Sequence, residues 1–262
     1  MGDCRAYVGA LMYVVRASRP DAAHAVNRLA RSVHDWTKAD DADLAHVMGY
    51  LRATQLHELE MVVDVRDRKG DLWLELYVDA DHAGDDDRRS TGGWVLMVRG
   101  SHGTSAAIDW ASRKQAAVAR SSGEAETKAL YDAIKAMVRG AEDEVREASG
   151  RAVGVNRALC SGGIPAMDFL EKALGRTVPL GALVDAAVCR AAAERGTSKQ
   201  MKYLPKTQCV DLFWRWDAVR NVPLELIKVK SDDNVADVLT KSLPGRRMAV
   251  LRERMGVRER PT

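Results

Sequence analysis

The sequence predicts a mixed-sheet α/β domain preceded by a small helical subdomain, and three observations predict it. Apolar residues recur at helical spacing through the first 55 residues. The period then shortens to that of strands between about residues 59 and 119. From residue 122 onward, helices and single strands alternate. Consecutive antiparallel strands followed by strand–helix alternation make a sheet that is antiparallel on one side and parallel on the other.

Each element has its own signal. Val8, Leu11, Met12 and Val15 fall at i, i+3, i+4 and i+7, as do Val26, Leu29, Ala30 and Val33, and Leu44, Val47, Met48 and Leu51. Each set makes one apolar helical stripe. Ser18-Arg19-Pro20-Asp21 opens the middle helix, where proline is tolerated in the first turn. Leu59 to Val65 and Leu72 to Val78 read as a hairpin turned at Asp67-Arg68-Lys69-Gly70, and Trp94 to Val98 and Ala107 to Trp110 as further strands. A long helix is expected over residues 122–147, another over 164–174, a strand over 178–184 and an alanine-rich helix over 186–195. Residues 209–220 read as helix, 224–229 as strand, 234–241 as helix, and Pro244 starts a last helix. The boundaries expected are a helical segment at 1–57, the α/β domain at 58–243 and a C-terminal helix and tail at 244–262.

Composition narrows the function classes. The formal net charge of +3 is too small to announce a nucleic-acid partner by itself. Cys4, Cys160, Cys189 and Cys209 form no C-x-x-C pair, which argues against a zinc knuckle or a redox motif and for a reducing, intracellular setting. No apolar run approaches the roughly 20 residues of a membrane span.

Four acids stand out by position. Asp79 and Asp185 each end an apolar strand, Glu126 sits in the first turns of the long helix, and Asp237 lies among Val235, Ala236, Val238 and Leu239. A carboxylate leaving a buried strand is costly unless something charged meets it. One reading makes Asp79 a partner of Arg88 or Arg89 and Asp185 the cap of its own following helix. The other gathers the four around two divalent cations, which relieve their mutual repulsion and can cleave a phosphodiester.

Five segments, in order along the chain, carry a resemblance. Tyr77-Val78-Asp79-Ala80-Asp81-His82-Ala83-Gly84, Asp87-Arg88-Arg89-Ser90-Thr91-Gly92-Gly93, Ile108-Asp109-Trp110-Ala111-Ser112-Arg113-Lys114-Gln115, Ser121-Ser122-Gly123-Glu124-Ala125-Glu126 and Asn234-Val235-Ala236-Asp237-Val238-Leu239-Thr240-Lys241-Ser242-Leu243 resemble the C-terminal region of copia-type LTR retrotransposon Pol polyproteins. Tyr7 to Tyr13, Arg19-Pro20-Asp21 and Tyr50 to Thr54 resemble the stretch that follows the polymerase core, so the likeness spans nearly the whole chain.

The resemblance implies a ribonuclease H-like fold and metal-dependent endonucleolytic hydrolysis of the RNA strand of RNA–DNA hybrids. It makes Asp79, Glu126, Asp185 and Asp237 both catalytic residues and ligands of two Mg²⁺ ions, for which Mn²⁺ can substitute. Glu126 is preferred to Glu124, which points about 200° away around a helix. Arg88, Arg89, Arg113, Lys114, Arg120, Lys199, Lys202 and Lys206 are candidate contacts to the hybrid backbone. The arginines of the C-terminal helix and tail read as an exposed face, and Trp214 and Trp216 as packing. The implied partners are the hybrid and a reverse transcriptase polymerase domain in cis or in trans, with no membrane.

The departures support an alternative, a catalytically inactive remnant that only binds nucleic acid. His82 stands where the family has Trp, Gly123 where it has Thr, Ala186-Ala187 where it has Asn-Gln, and Gln208-Cys209-Val210-Asp211 where it has Lys-His-Ile-Asp. An integrase or transposase would place its glutamate after the second aspartate; here the glutamate comes second.

Overall fold

The computed structural model describes residues 4–84, 87–137, 166–196, 198, 201–207, 210 and 224–260. Three helices open the chain: α1 (Cys4–Ala17), α2 (Ala23–Ser32) and α3 (Lys38–Ala53). A 3-10 turn at Pro20–Ala22 leads into α2. A capping box starts α3: Thr37 accepts from the Asp40 amide while the Asp40 carboxylate accepts from the Thr37 amide.

The main sheet has five strands. β2 (Leu72–Asp81), β3 (Thr91–Gly100) and β4 (Ser105–Lys114) are antiparallel; β5 (Leu180–Val184) and β6 (Leu224–Lys228) run parallel to β2. The spatial order is β4-β3-β2-β5-β6. α4 (Ser122–Met137) follows the antiparallel strands, α5 (Ala166–Leu174) precedes β5, and α6 (Ala187–Arg195) follows it. This is the mixed sheet expected, antiparallel on one side and parallel on the other, with the small helical subdomain ahead of it.

Period-2 alternation along β2 splits the core in two. Leu74, Leu76 and Val78 pack with Trp94, Leu96 and the Ala129, Leu130, Ala133 and Ile134 side of α4. Tyr77, with Val95, Met97 and Leu183, faces the other way onto Val8, Leu11 and Val15 of α1, Val26 and Leu29 of α2, and Leu251 of a C-terminal helix, α7 (Gly245–Arg254). The first and last helices therefore share one core with the sheet.

Three local expectations change. Residues 59–65 do not form a hairpin with β2, because β3 and β5 already occupy both edges of that strand. Instead, a short strand β1 (His57–Leu59) pairs with the chain's last strand, β7 (Val257–Glu259), and Val62 bridges to Ser105 at the sheet's outer edge. Asp67, read as a turn residue, accepts from the backbone amides of His102 and Thr104 and so holds the β3–β4 turn. The segment at 234–241 is helical over Val235–Leu239, but as a short 3-10 helix rather than an α-helix. The expected helix at 209–220, with Trp214 and Trp216, and α4 beyond Met137 lie outside the described residues.

Candidate active site

Parallel pairing sets the geometry of the two strand-end acids. Tyr77 of β2 is in register with Leu183 of β5. Asp79 lies two residues past the first and Asp185 two past the second. Adjacent strands are about 4.8 Å apart, and residues two apart share a face. Both carboxylates thus leave the same end of the sheet, side by side.

α4 brings the third acid to that end. Glu126 is 7% exposed. Its Oε1 accepts from Ser122 one turn earlier at 3.1 Å, while its Oε2 and Asp185 Oδ1 are buried with no hydrogen-bond partner among the described residues. Burial pushes the Glu126 carboxyl up to about 8, and the negative charges of Asp185 and Asp79 add to the shift. The Glu126 and Asp185 carboxyls are close enough to share a hydrogen bond once one is protonated. Glu124 points elsewhere: it accepts from the Arg120 amide at 2.7 Å and from the Tyr203 hydroxyl at 3.0 Å.

The 3-10 turn supplies the fourth acid, Asp237, fully buried. Asn234 fastens the turn to the sheet by donating to the Val78 carbonyl at 2.9 Å while capping the turn through the Ala236 amide. Gly93, opposite Asp79 on β3, lets the turn lie this close: a Cβ there would stand 2.7 Å from Leu239 Cβ.

Asp79 and Asp237 are joined by a cation. The Lys241 ammonium is 2.9 Å from Asp237 Oδ1 and 3.3 Å from Asp79 Oδ2. The Thr240 hydroxyl donates to Asp79 Oδ2, and the Arg247 guanidinium to Asp237 Oδ2. Burial pushes Asp237 up to about 6, Asp79 adds to the rise, and Lys241 and Arg247 oppose it.

All four sequence-selected acids therefore gather at one end of the sheet, as two pairs with different surroundings. Asp79 pairs with Lys241, not with Arg88 or Arg89, and Asp185 does not cap the helix after it. The residue at that cap is Ala186, which has no side-chain hydrogen bond to offer, so α6 begins uncapped. Sequence reasoning missed Thr240, Lys241 and Arg247. The i,i+4 spacing of Asp237 and Lys241 was a usable signal; nothing local marked Arg247, which had been read as part of an exposed face.

Among the candidate backbone contacts, Arg88, Arg89, Arg120, Lys202 and Lys206 are exposed. Arg88 holds a positive φ of 56° in the loop after β2. Arg113 and Lys114 reach the acidic end across the sheet, through Gly92 to Ala80 and Thr91 to Asp81. Arg113 stacks over Trp94 at 5.1 Å and Arg120 over Tyr203 at 4.0 Å. Arg89 and Lys114 both pair with Asp87, at 2.8 and 2.7 Å. Lys199 lies outside the described residues.

A hard divalent cation suits the Glu126–Asp185 pair, where two buried carboxylate oxygens lack any donor. The Asp79–Asp237 pair already holds cations of the protein itself. Among the described residues, no three His, Cys, Asp or Glu side chains are grouped closely enough to hold one metal ion.

Fold and acids together define a mixed-sheet α/β protein with four carboxylates at one end of its sheet. Comparison with known proteins finds the chain similar to retrotransposon Pol polyproteins over nearly its whole length. It is 27% identical over 253 residues, 95% of its own length, to the Retrovirus-related Pol polyprotein from transposon TNT 1-94 of Nicotiana tabacum. It is 37% identical over 137 residues to the Retrovirus-related Pol polyprotein from transposon RE1 of Arabidopsis thaliana, covering 52% of the chain. It spans only 16% and 8% of the lengths of those two relatives. Half of the chain also matches 86% of Secreted RxLR effector protein 161 of Plasmopara viticola, at 39% identity over 132 residues. Of solved structures, an RNase H1 isolated from compost matches 64% of this chain and 92% of its own, at 12% identity and a TM-score of 0.37. No family model matches. No helix of the described residues is long and apolar enough to cross a membrane.

Proposed function

We propose that this chain is a retroelement-derived ribonuclease H-like module that binds RNA–DNA hybrid and whose hydrolytic centre is closed. The observation that carries the proposal is the division of its four acids. Asp79 and Asp237 are ion-paired with Lys241 and Arg247, whereas Glu126 and Asp185 keep buried oxygens that meet neither a hydrogen-bond donor nor a cation among the described residues. Phosphodiester hydrolysis of the two-ion kind needs divalent cations on both sides of the reacting phosphorus, about 4 Å apart. One pair of acids here has room for that role. The uncapped start of α6 and the exposed His82, where the resemblance expects Asn-Gln and Trp, fit a centre whose supporting residues have drifted.

Binding is the function such a module keeps. Arg88, Arg89, Arg113, Lys114 and Arg120 are candidates to neutralise backbone phosphates, with affinity falling as salt rises. A hybrid is read by its shape and its 2′-hydroxyls rather than by base edges. The setting on this reading is intracellular, beside a copia-type polymerase domain in cis or in trans.

One observation favours a second reading, in which the RNA strand is hydrolysed: the bare oxygens of Glu126 and Asp185, with Asp79 close enough to raise Glu126 further. Glu126 and Asp185 would then hold Mg²⁺ or Mn²⁺, which supplies charge for the phosphate oxygens and a more acidic water. Ser122 would keep Glu126 in its rotamer, and Asp237 would stay with Lys241 and Arg247.

A labelled hybrid incubated with the full chain and Mg²⁺ or Mn²⁺, beside Asp79→Asn and Glu126→Gln, separates the readings. Salt-dependent binding with no RNA cutting above that of the two variants is expected. Metal-dependent cutting that both substitutions abolish would replace the binding reading with the hydrolytic one.

A further inference from the structure

Lys241 stands between two of the four acids. Its ammonium lies between Asp237 Oδ1 and Asp79 Oδ2, at 2.9 and 3.3 Å. Its side chain is two-thirds buried. Its backbone is held in place as well: the Lys241 amide donates to the Asp237 carbonyl at 3.2 Å, and the turn it follows is tied to β2 through Asn234. The neighbouring Thr240 fixes the same Asp79 oxygen, so that oxygen is engaged twice.

The charges on this side already balance. Two carboxylates face Lys241 and Arg247, one unit each, with Arg247 approaching Asp237 from the opposite oxygen. A divalent ion entering between Asp79 and Asp237 would have to displace the ammonium or stand beside it in a poorly solvated site, where like charges repel far more than in water. Across the centre the balance is the reverse. Glu126 and Asp185 bring two carboxylates, a single hydroxyl donor from Ser122, and two buried oxygens with no donor. The same set of acids thus has one half faced by cations and the other half faced by none among the described residues.

We infer that Lys241 is a built-in cation that takes the place of the second divalent ion, so that the centre binds one divalent cation, on the Glu126–Asp185 side. The inference rests on the reading of a closed ribonuclease H-like centre and gives that closure a named cause. It also makes the closure reversible by a single substitution: without the ammonium, the Asp79–Asp237 pair becomes a second site. Lys241 is a positioning residue in this account, acting on the carboxylates rather than on nucleic acid.

The experiment counts ions rather than products. Mn²⁺ is titrated into the full chain without nucleic acid, with free Mn²⁺ read by its paramagnetic resonance signal, for wild type, Lys241→Gln, Asp185→Asn and Asp237→Asn. The wild type is expected to bind one Mn²⁺, Asp185→Asn to weaken it at least tenfold, and Lys241→Gln to bind two. Asp237→Asn is expected to leave the single ion unchanged. That variant tests the inference even if Lys241→Gln does not fold, because in a two-ion centre it would lose one ion of two. Two ions on the wild type, none on the wild type, or no gain in a folded Lys241→Gln would overturn the inference. Hybrid cutting by a wild type that binds one ion would overturn the closed-centre reading and leave Lys241's role standing. Two ions with no cutting would do the reverse.

Discussion

Two buried clusters of charge in this molecule are built from similar groups and differ in one respect. Beneath the helical subdomain, Arg19 meets Asp21 through two parallel contacts of 2.9 and 2.7 Å and donates to the Thr54 carbonyl and hydroxyl at 3.2 and 2.7 Å. Tyr50 donates to Asp21 at 2.6 Å, and Arg252 of α7 reaches Tyr50 at 3.3 Å. One acid is surrounded by donors, and the cluster ties the start of the chain to its end. In the sheet-end cluster, Asp79 and Asp237 share the cations Lys241 and Arg247, while Glu126 and Asp185 have buried oxygens that meet neither a hydrogen-bond donor nor a cation among the described residues. A closed cluster fixes a fold. An open one keeps unmet charge in place, which is the condition for holding a ligand.

The largest expected effect comes from opening the closed cluster. Asp21→Ala leaves the Arg19 guanidinium buried without its counter-charge and should cost about 3–5 kcal/mol in urea unfolding. A loss near zero would mean that the two clusters do not differ in role.

The open cluster should respond with the opposite sign. Glu126 is raised in the folded state from an ordinary value of 4.5 to about 8, so folding favours its protonated form. Its contribution is fully present below pH 4.5 and is lost as pH rises through 8. Asp237 adds a smaller loss between pH 3.8 and about 6. With a chelator present, Glu126→Gln should therefore be roughly 2–4 kcal/mol more stable than wild type at pH 8 and equal to it at pH 4. Equal stabilities at both pH values in urea titrations would show that the Glu126–Asp185 pair is not strained by charge.

Gly93→Ala sharpens the comparison from the packing side. The added methyl meets Leu239 Cβ at 2.7 Å and Thr240 Cγ2 at 2.9 Å, and should push the turn carrying Asp237 off β3 at a cost of about 1–3 kcal/mol. Thermal unfolding measures the cost, and a neutral result would mean that the turn can slide without harm. The smallest effect is expected where both partners are wet: Arg28 and Asp43 stand 4.0 Å apart, each more than half exposed, and Arg28→Ala should change stability by no more than about 0.5 kcal/mol.

Much of the fold was legible because it rests on periodicity. The stripes of α1, α2 and α3, the alternation along β2 and the apolar runs of β5 and β6 are local patterns with one physical reading. The hairpin expected at residues 59–65 failed because strand character says nothing about which edge is free. Leu59 and Val62 found their partners at Val257 and Ser105, far along the chain. The four acids were legible for a related reason: a carboxylate at the end of an apolar strand or within an apolar turn is an exception that a sequence displays openly.

By itself, the sequence determined the mixed sheet, the helical segment before it and the identity of the acids, since each follows from neighbours a few residues away. Only the tertiary structure decided how those acids are divided. Parallel register sets Asp79 beside Asp185, α4 turns Glu126 rather than Glu124 toward them, and the Gly93 gap lets Lys241 in between Asp79 and Asp237. Arg247 joins them from a helix whose sequence reads as exposed surface. Whether a buried charge is answered depends on groups brought together by folding, and their distance in space leaves no trace in their spacing along the chain.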